Sequence, residues 1–222
     1  MKTKLLILAL FAALKVSGQN IPQYGLYTER GKDDLVKFYN RGALTSEGKY
    51  KVNEKTGVWT GYTRGYERLK YDFTTNELIL YVPAKIYSVQ KYTALTPSAD
   101  TVFERRPIFI NGFQTLKSNL SREMLYPAIA RENNKQGELI LSFTIDEKGN
   151  MLNLVVKKSL GMGTDEEALR VLKKNMGEWV PAQINGKPVA VECELPVVFQ
   201  IIPPNNRVYA PNAIVITAYS VR

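Results

Sequence analysis

An α+β fold, with helices packed on a small antiparallel sheet, is predicted for the second half of this 222-residue chain. Three observations predict it. Between Tyr126 and Phe199 an apolar alternation of period two turns over a short glycine-containing loop and runs back as a second β-rich segment. A stretch with helical spacing and helical charge order follows. A third alternating run then closes the region. Helix, hairpin, helix, strand is the resulting order, and each element has one apolar side to bury against another.

Tyr126-Pro127, followed by Ala128, Ile129 and Ala130, predicts a short helix entered through proline near its first turn. Gly137 opens the first strand, with Leu139, Leu141, Phe143 and Ile145 on one face. Asp146 to Asn150 is turn chemistry, with Gly149 free to take positive φ, and Met151 to Lys158 returns as the partner strand. Thr164 is expected to cap the next helix, with Glu167 reaching back to close a capping box. Asp165, Glu166 and Glu167 at its start and Lys173-Lys174 at its end suit the helix dipole. Ala168, Leu169, Val171 and Leu172 form its buried stripe, and Asn175 to Gly177 ends it. Asn185-Gly186-Lys187-Pro188 is a turn, and the last strand alternates Val191, Cys193 and Leu195 with Glu192 and Glu194.

The spacing of Tyr126-Pro127, Ala130, Gly137, Phe143, Gly149, Glu167-Ala168-Leu169, Trp179, Pro181, Asn185 to Pro188 and Pro196 to Phe199 resembles the TonB C-terminal domain family. With the lead-in through Pro107, Asn111-Gly112-Phe113 and Leu116 to Leu120, the resemblance covers about residues 107–202.

Residues 1–18 read as a secretory signal: Lys2 and Lys4, an apolar run from Leu5 to Leu14, then Val16-Ser17-Gly18 as a small-residue cleavage site. Lys15 interrupts the run well before the roughly 20 apolar residues that a membrane span takes. Cleavage near Gly18-Gln19 is expected to leave a chain with no integral membrane span, in the periplasm or cell envelope. Loss of three lysines lowers the net charge from +9 to +6. For an exported protein, anionic envelope material, including peptidoglycan, is a more plausible counter-charge than nucleic acid. Cys193 is the single cysteine, so no internal disulfide forms, and its alternation with Val191 and Leu195 marks a packed core residue.

Residues 19–100 differ in texture. Short strands punctuated by glycine, through Glu47-Gly48-Lys49-Tyr50, Thr56-Gly57-Val58-Trp59, Tyr62, Gly65, Leu69 and Tyr71, predict a β-meander. About residues 36–80 resemble MORN-like variant repeats, with two units that form consecutive hairpins. Tyr50, Trp59, Tyr62 and Tyr71 are expected to pack hairpin on hairpin, and two units need further strands or a second domain to dock on. Leu95 to Arg106 reads as a short linker. The domains expected are therefore 1–18 signal, 19–100 hairpin module, 101–202 TonB C-terminal-like domain and 203–222 tail. In that tail, Ala213 to Tyr219 is expected to be a strand that folds back antiparallel.

The chain contains no histidine. That removes histidine triads, most zinc sites and the commonest general base. No nucleotide-binding or nucleophile-elbow motif is present. No catalytic residue, metal or cofactor is expected, and the carboxylates at 165–167 are explained by the helix start. The family resemblance implies recognition of envelope proteins, with outer-membrane TonB-dependent transporters as one class. The mode it implies is addition of a partner strand to the sheet. By residue match the strand offered is Val189, Ala190, Val191, Glu192, Cys193, Glu194, Leu195, Val197 and Val198. Pro196 takes one donor from that strand, and the tail is expected to cover its edge. Energy transduction as in the family needs an uncleaved membrane helix and a histidine, neither of which the sequence offers. A scaffold or binding protein of a Gram-negative envelope is the reading that results. A transport accessory or a cell-wall-binding protein is the alternative.

Overall fold

Six consecutive strands open the computed structural model, which describes residues 27–31, 33–40, 42–83, 91–95, 102–202 and 213–219. The expected signal and its cleavage point lie outside these residues. The strands are β1 (Tyr27–Arg30), β2 (Leu35–Asn40), β3 (Ala43–Lys51), β4 (Glu54–Thr63), β5 (Tyr66–Asp72) and β6 (Glu77–Tyr81), paired in sequence order. They form an antiparallel meander longer than the 36–80 stretch. Two of its turns are two-residue loops with both residues at positive φ, Val52-Asn53 (50° and 66°) and Arg64-Gly65 (54° and 81°). Such turns match the twist of the flanking strands. Val36, Phe38, Tyr50, Trp59, Leu69 and Tyr71 are buried on one face. Tyr50 meets the Trp59 ring edge-on at 5.2 Å, and Tyr71 meets Phe73 at 4.8 Å. Tyr62 is on the other face and donates a 2.6 Å hydrogen bond to Glu47.

β7 (Lys91–Ala94) leaves the meander and joins a different sheet. After β8 (Ile108–Phe109) come α1 (Phe113–Glu123), α2 (Ala128–Glu132), β9 (Gly137–Ile145), β10 (Met151–Lys158) and α3 (Thr164–Lys174). β11 (Trp179–Val180), β12 (Ala182–Ile184), β13 (Lys187–Val189), β14 (Val191–Ile202) and β15 (Ile214–Tyr219) complete the described elements. The second sheet has the order β10-β9-β14-β15, with β7 also on β14. Two small pairs, β8 with β11 and β12 with β13, flank it. The apolar faces meet in register, Val191 opposite Ile145, Cys193 opposite Phe143, Leu195 opposite Leu141 and Val197 opposite Leu139. α3 lies against β9 and β10, and α1 against β15. Buried Leu116, Leu120, Ala168, Val171 and Leu172 complete the core from the helix side. Each fully buried side chain of leucine size contributes roughly 1.5–3 kcal/mol.

Three expectations are corrected. The tail strand is parallel to β14, with Val197 opposite Ile214 and Ile202 opposite Tyr219. Residues 203–213 connect the two strands. A connection of that length reaches up to ~36 Å, more than the ~20 Å that six paired residues measure, so length allows either direction. In the observed direction Ile214, Ile216 and Ala218 are buried, and the strand lies against α1. The capping box is absent. Gly163, at φ 82°, stands before the helix, and Thr164 Oγ1 turns back to donate to the Gly161 carbonyl at 2.7 Å. Glu167 instead accepts from the Leu125 backbone N–H and from Arg170. Finally, residues read as a lead-in form an eleven-residue helix, α1.

The two halves dock closely. A Cβ at Gly61 would stand 2.0 Å from the Ile110 carbonyl oxygen, so only glycine fits where β4 meets the second half. A Cβ at Gly149 would stand 1.9 Å from the Trp179 carbonyl oxygen, which holds the β9–β10 turn against β11. In the described part of the expected linker, the Arg105 guanidinium lies 4.9 Å over the Tyr71 ring. It also donates to the Tyr71 hydroxyl and the Pro181 carbonyl, each at 3.2 Å. That segment is a joint pressed between the halves.

Candidate functional site

β14 is the strand on which the second sheet is built. Its alternation sends Val191, Cys193, Leu195, Val197 and Phe199 into the core, and Glu192, Glu194 and Val198 to the other face. One edge pairs with β9 from Val191 to Phe199. The opposite edge is shared by two strands of the same chain. β7 pairs antiparallel with Val191 to Glu194, and β15 pairs parallel with Val197 to Ile202. Leu195 and Pro196 lie in the gap between these two occupants. Proline has no N–H to give, so the gap falls where the ladder is weakest.

The structure thus separates the residues the sequence grouped as a binding strand. Val189 belongs to β13 and pairs with Ala182. Ala190 is the joint between strands, and its carbonyl accepts from the Leu95 N–H at 3.3 Å. Val191 to Glu194 lie under β7, and Val197 and Val198 under β15. The occupancy of this edge by β7 has no signal in the sequence of Lys91 to Ala94, which is only four residues long.

Charge is concentrated on the outward face of this strand. Lys157 on β10 reaches across β9 to Glu192 at 2.9 Å and Glu194 at 2.7 Å. Hydrogen bonds to Glu194 and then Glu192 raise the Lys157 ammonium above its ordinary value. Ser142 Oγ donates to Glu192 at 2.7 Å. On the inward face burial pushes the Cys193 thiol up to about 12, so it stays protonated and inert at neutral pH.

The other border of the sheet is built differently. Among the described residues β10 has no strand on its outer edge. Its pairing with β9 is irregular between Leu152 and Val155 and between Val156 and Lys158, and Asn153 sits at φ 54°. Bulges of this kind twist an edge away from further pairing. The β14 ladders with β9, β7 and β15 run without such shifts.

Elsewhere the charged clusters have structural roles. Burial alone would push the Asp165 carboxyl up. Hydrogen bonds from Ser159, the Leu160 and Gly161 N–H groups and Thr164 outweigh it and hold it below its ordinary value. Lys55 and Glu178 pair at 2.8 Å with side chains 1% and 2% exposed. Tyr50 donates to the same carboxylate at 2.5 Å, and Lys55 also donates to the Gly149 carbonyl at 3.1 Å and Asn150 Oδ1 at 3.0 Å. This network joins β3 and β4 to the second half. Among the described residues no three histidine, cysteine or carboxylate side chains converge as a metal site, and no helix is long and apolar enough to cross a membrane.

Two solution structures of the Helicobacter pylori TonB C-terminal domain are similar to part of the chain. Identities are 22% and 21%, coverage is 40% and 39% of this chain and 78% and 89% of theirs, and TM-scores are 0.31 and 0.30. No curated protein matches the chain. Residues 122–201, from the last turn of α1 almost to the end of β14, match the family model described as Gram-negative bacterial TonB protein C-terminal. This part of the chain, with the β14 edge inside it, is similar to the C-terminal domain of a Gram-negative TonB.

Proposed function

We propose that the chain is an exported, non-catalytic binding or scaffold protein of a Gram-negative envelope. It recognises partners by taking an extended segment onto the β14 edge. The contrast between the two borders of the second sheet supports this reading most. β10 is bulged and irregular, whereas β14 is regular over twelve residues, and its outer edge is shared by two short occupants that abut at a proline. Main-chain hydrogen bonds along such an edge supply affinity, and alternate side chains supply selectivity. The hairpin module serves as a rigid support, because its aromatic face is spent on packing. Its assignment to MORN-like repeats belongs to the same proposal, as does export by cleavage near Gly18-Gln19.

The experiment is photocrosslinking in cells. A photoreactive residue at Glu192, on the outward face of β14, is compared with one at Val58, on an exposed position of β4. Adducts with an envelope protein at Glu192 and none at Val58 are expected. Equal labelling at both positions, or none at Glu192, contradicts strand addition. An outer-membrane transporter as the captured protein favours the transport-accessory role.

A further inference from the structure

The strand-addition reading leaves open how an occupied edge receives a partner, and what that partner carries. Resting on that reading, we propose that β7 is the exchangeable occupant, and that the incoming segment is an extended peptide with basic residues facing Glu192 and Glu194.

The two occupants of the edge are held very differently. β15 pairs over six residues, and its Ile214, Ile216 and Ala218 are 0%, 3% and 8% exposed within the core. β7 pairs over four residues; its Ala94 is buried and its Thr93 exposed. A strand held by four paired residues opens locally at lower free energy than one held by six. The break at Leu195-Pro196 lets β7 leave without unzipping β15, since the two ladders share no residue of β14. Departure of β7 uncovers Val191 to Glu194, which β9 still holds extended from the other side.

The chemistry of the newcomer follows from the face it must match. In antiparallel pairing, residues directly opposite share a face. The register sets Thr93 opposite Glu192 and Lys91 opposite Glu194, and Tyr92 and Ala94 opposite Cys193 and Val191. The outward positions of any replacement therefore meet two carboxylates that share Lys157. A basic residue there meets opposite charge, and an acidic one meets like charge, which destabilises a cross-strand pair.

The test uses the full chain and a fluorescent peptide with the sequence of residues 89–96, Val-Gln-Lys-Tyr-Thr-Ala-Leu-Thr, together with the same peptide carrying Glu in place of Lys. Thr93→Pro removes a β7 donor and loosens its pairing. The Lys peptide is expected to bind Thr93→Pro at least tenfold more tightly than the unaltered chain. The Glu peptide should bind this variant at least fivefold more weakly, a preference that Glu194→Gln removes. Equal binding of the Lys peptide to both chains overturns the exchange. No binding of either peptide overturns it too. In that case adducts at Glu192 in cells would leave strand addition itself standing, and their absence would remove both. Should Thr93→Pro not fold, amide exchange in the unaltered chain decides. Amides of Val191 to Glu194 that face β7 should exchange at least tenfold faster than those of Val197 to Ile202 that face β15, and the reverse order contradicts the proposal.

Discussion

Lys55 and Glu178 form a charged pair almost wholly removed from water, and the carboxylate also accepts from Tyr50. Removing one member leaves the other buried and unmatched. Lys55→Met should destabilise the fold by about 3–5 kcal/mol. Combining it with Glu178→Leu and Tyr50→Phe should recover most of that loss, as read by urea denaturation. At the Val52-Asn53 turn a β-branched residue sits at φ 50° and is 75% exposed. A left-handed conformation is unfavourable for valine and suits asparagine followed by glycine. Val52→Asn with Asn53→Gly should gain about 1 kcal/mol and raise the melting temperature by roughly 2–4 °C. Asp165 gives a pH signature. Its folded pKa is depressed, so its contribution is present above the unfolded value near 4 and lost as pH falls through the lower folded value. Asp165→Asn should destabilise the protein at pH 7 and flatten this part of the acid limb in a pH series of denaturation curves. Cys193 was legible at this scale, because alternation with Val191 and Leu195 fixes which way it points. The role of Asp165 was not. Its bonds depend on a Gly161-Met162-Gly163 loop with all three φ angles positive, and spacing alone cannot show that curl.

Among the elements, β9, β10, α3 and β14 were readable because each carries its own period over eight or more residues. β8 and β11 are two residues each and exist only by pairing with each other across the chain, so no local pattern marks them. β7 is similar, four residues whose partner lies about a hundred positions away. The direction of β15 was also illegible, since inward alternation is the same for a parallel as for an antiparallel strand. Its burial makes it part of the core. A chain ending at Ile202 loses the buried Ile214 and Ile216 and should be destabilised by about 3–6 kcal/mol, at roughly 1.5–3 kcal/mol each. Equilibrium urea unfolding checks this. An unchanged midpoint would mean that the tail is only a removable cover.

At the scale of the whole molecule, the meander and the α+β half share one packed boundary. Ile110 and Val180 enter the aromatic core of the meander, and Gly61 admits the Ile110 backbone. The sequence showed that a module of this size needs something to dock on, but not where, because Gly61 and Ile110 become neighbours only after both halves fold. Rigid docking leaves the edge of β14 as the region with the clearest means of accepting another chain. The central claim is that a partner strand joins the sheet there. Amide hydrogen exchange of the full chain, alone and with the partner captured by crosslinking at Glu192, tests it most directly. New protection confined to Val191 to Glu194 is the predicted result. Protection that falls on the meander or on the β10 edge, with β14 unchanged, would contradict the account.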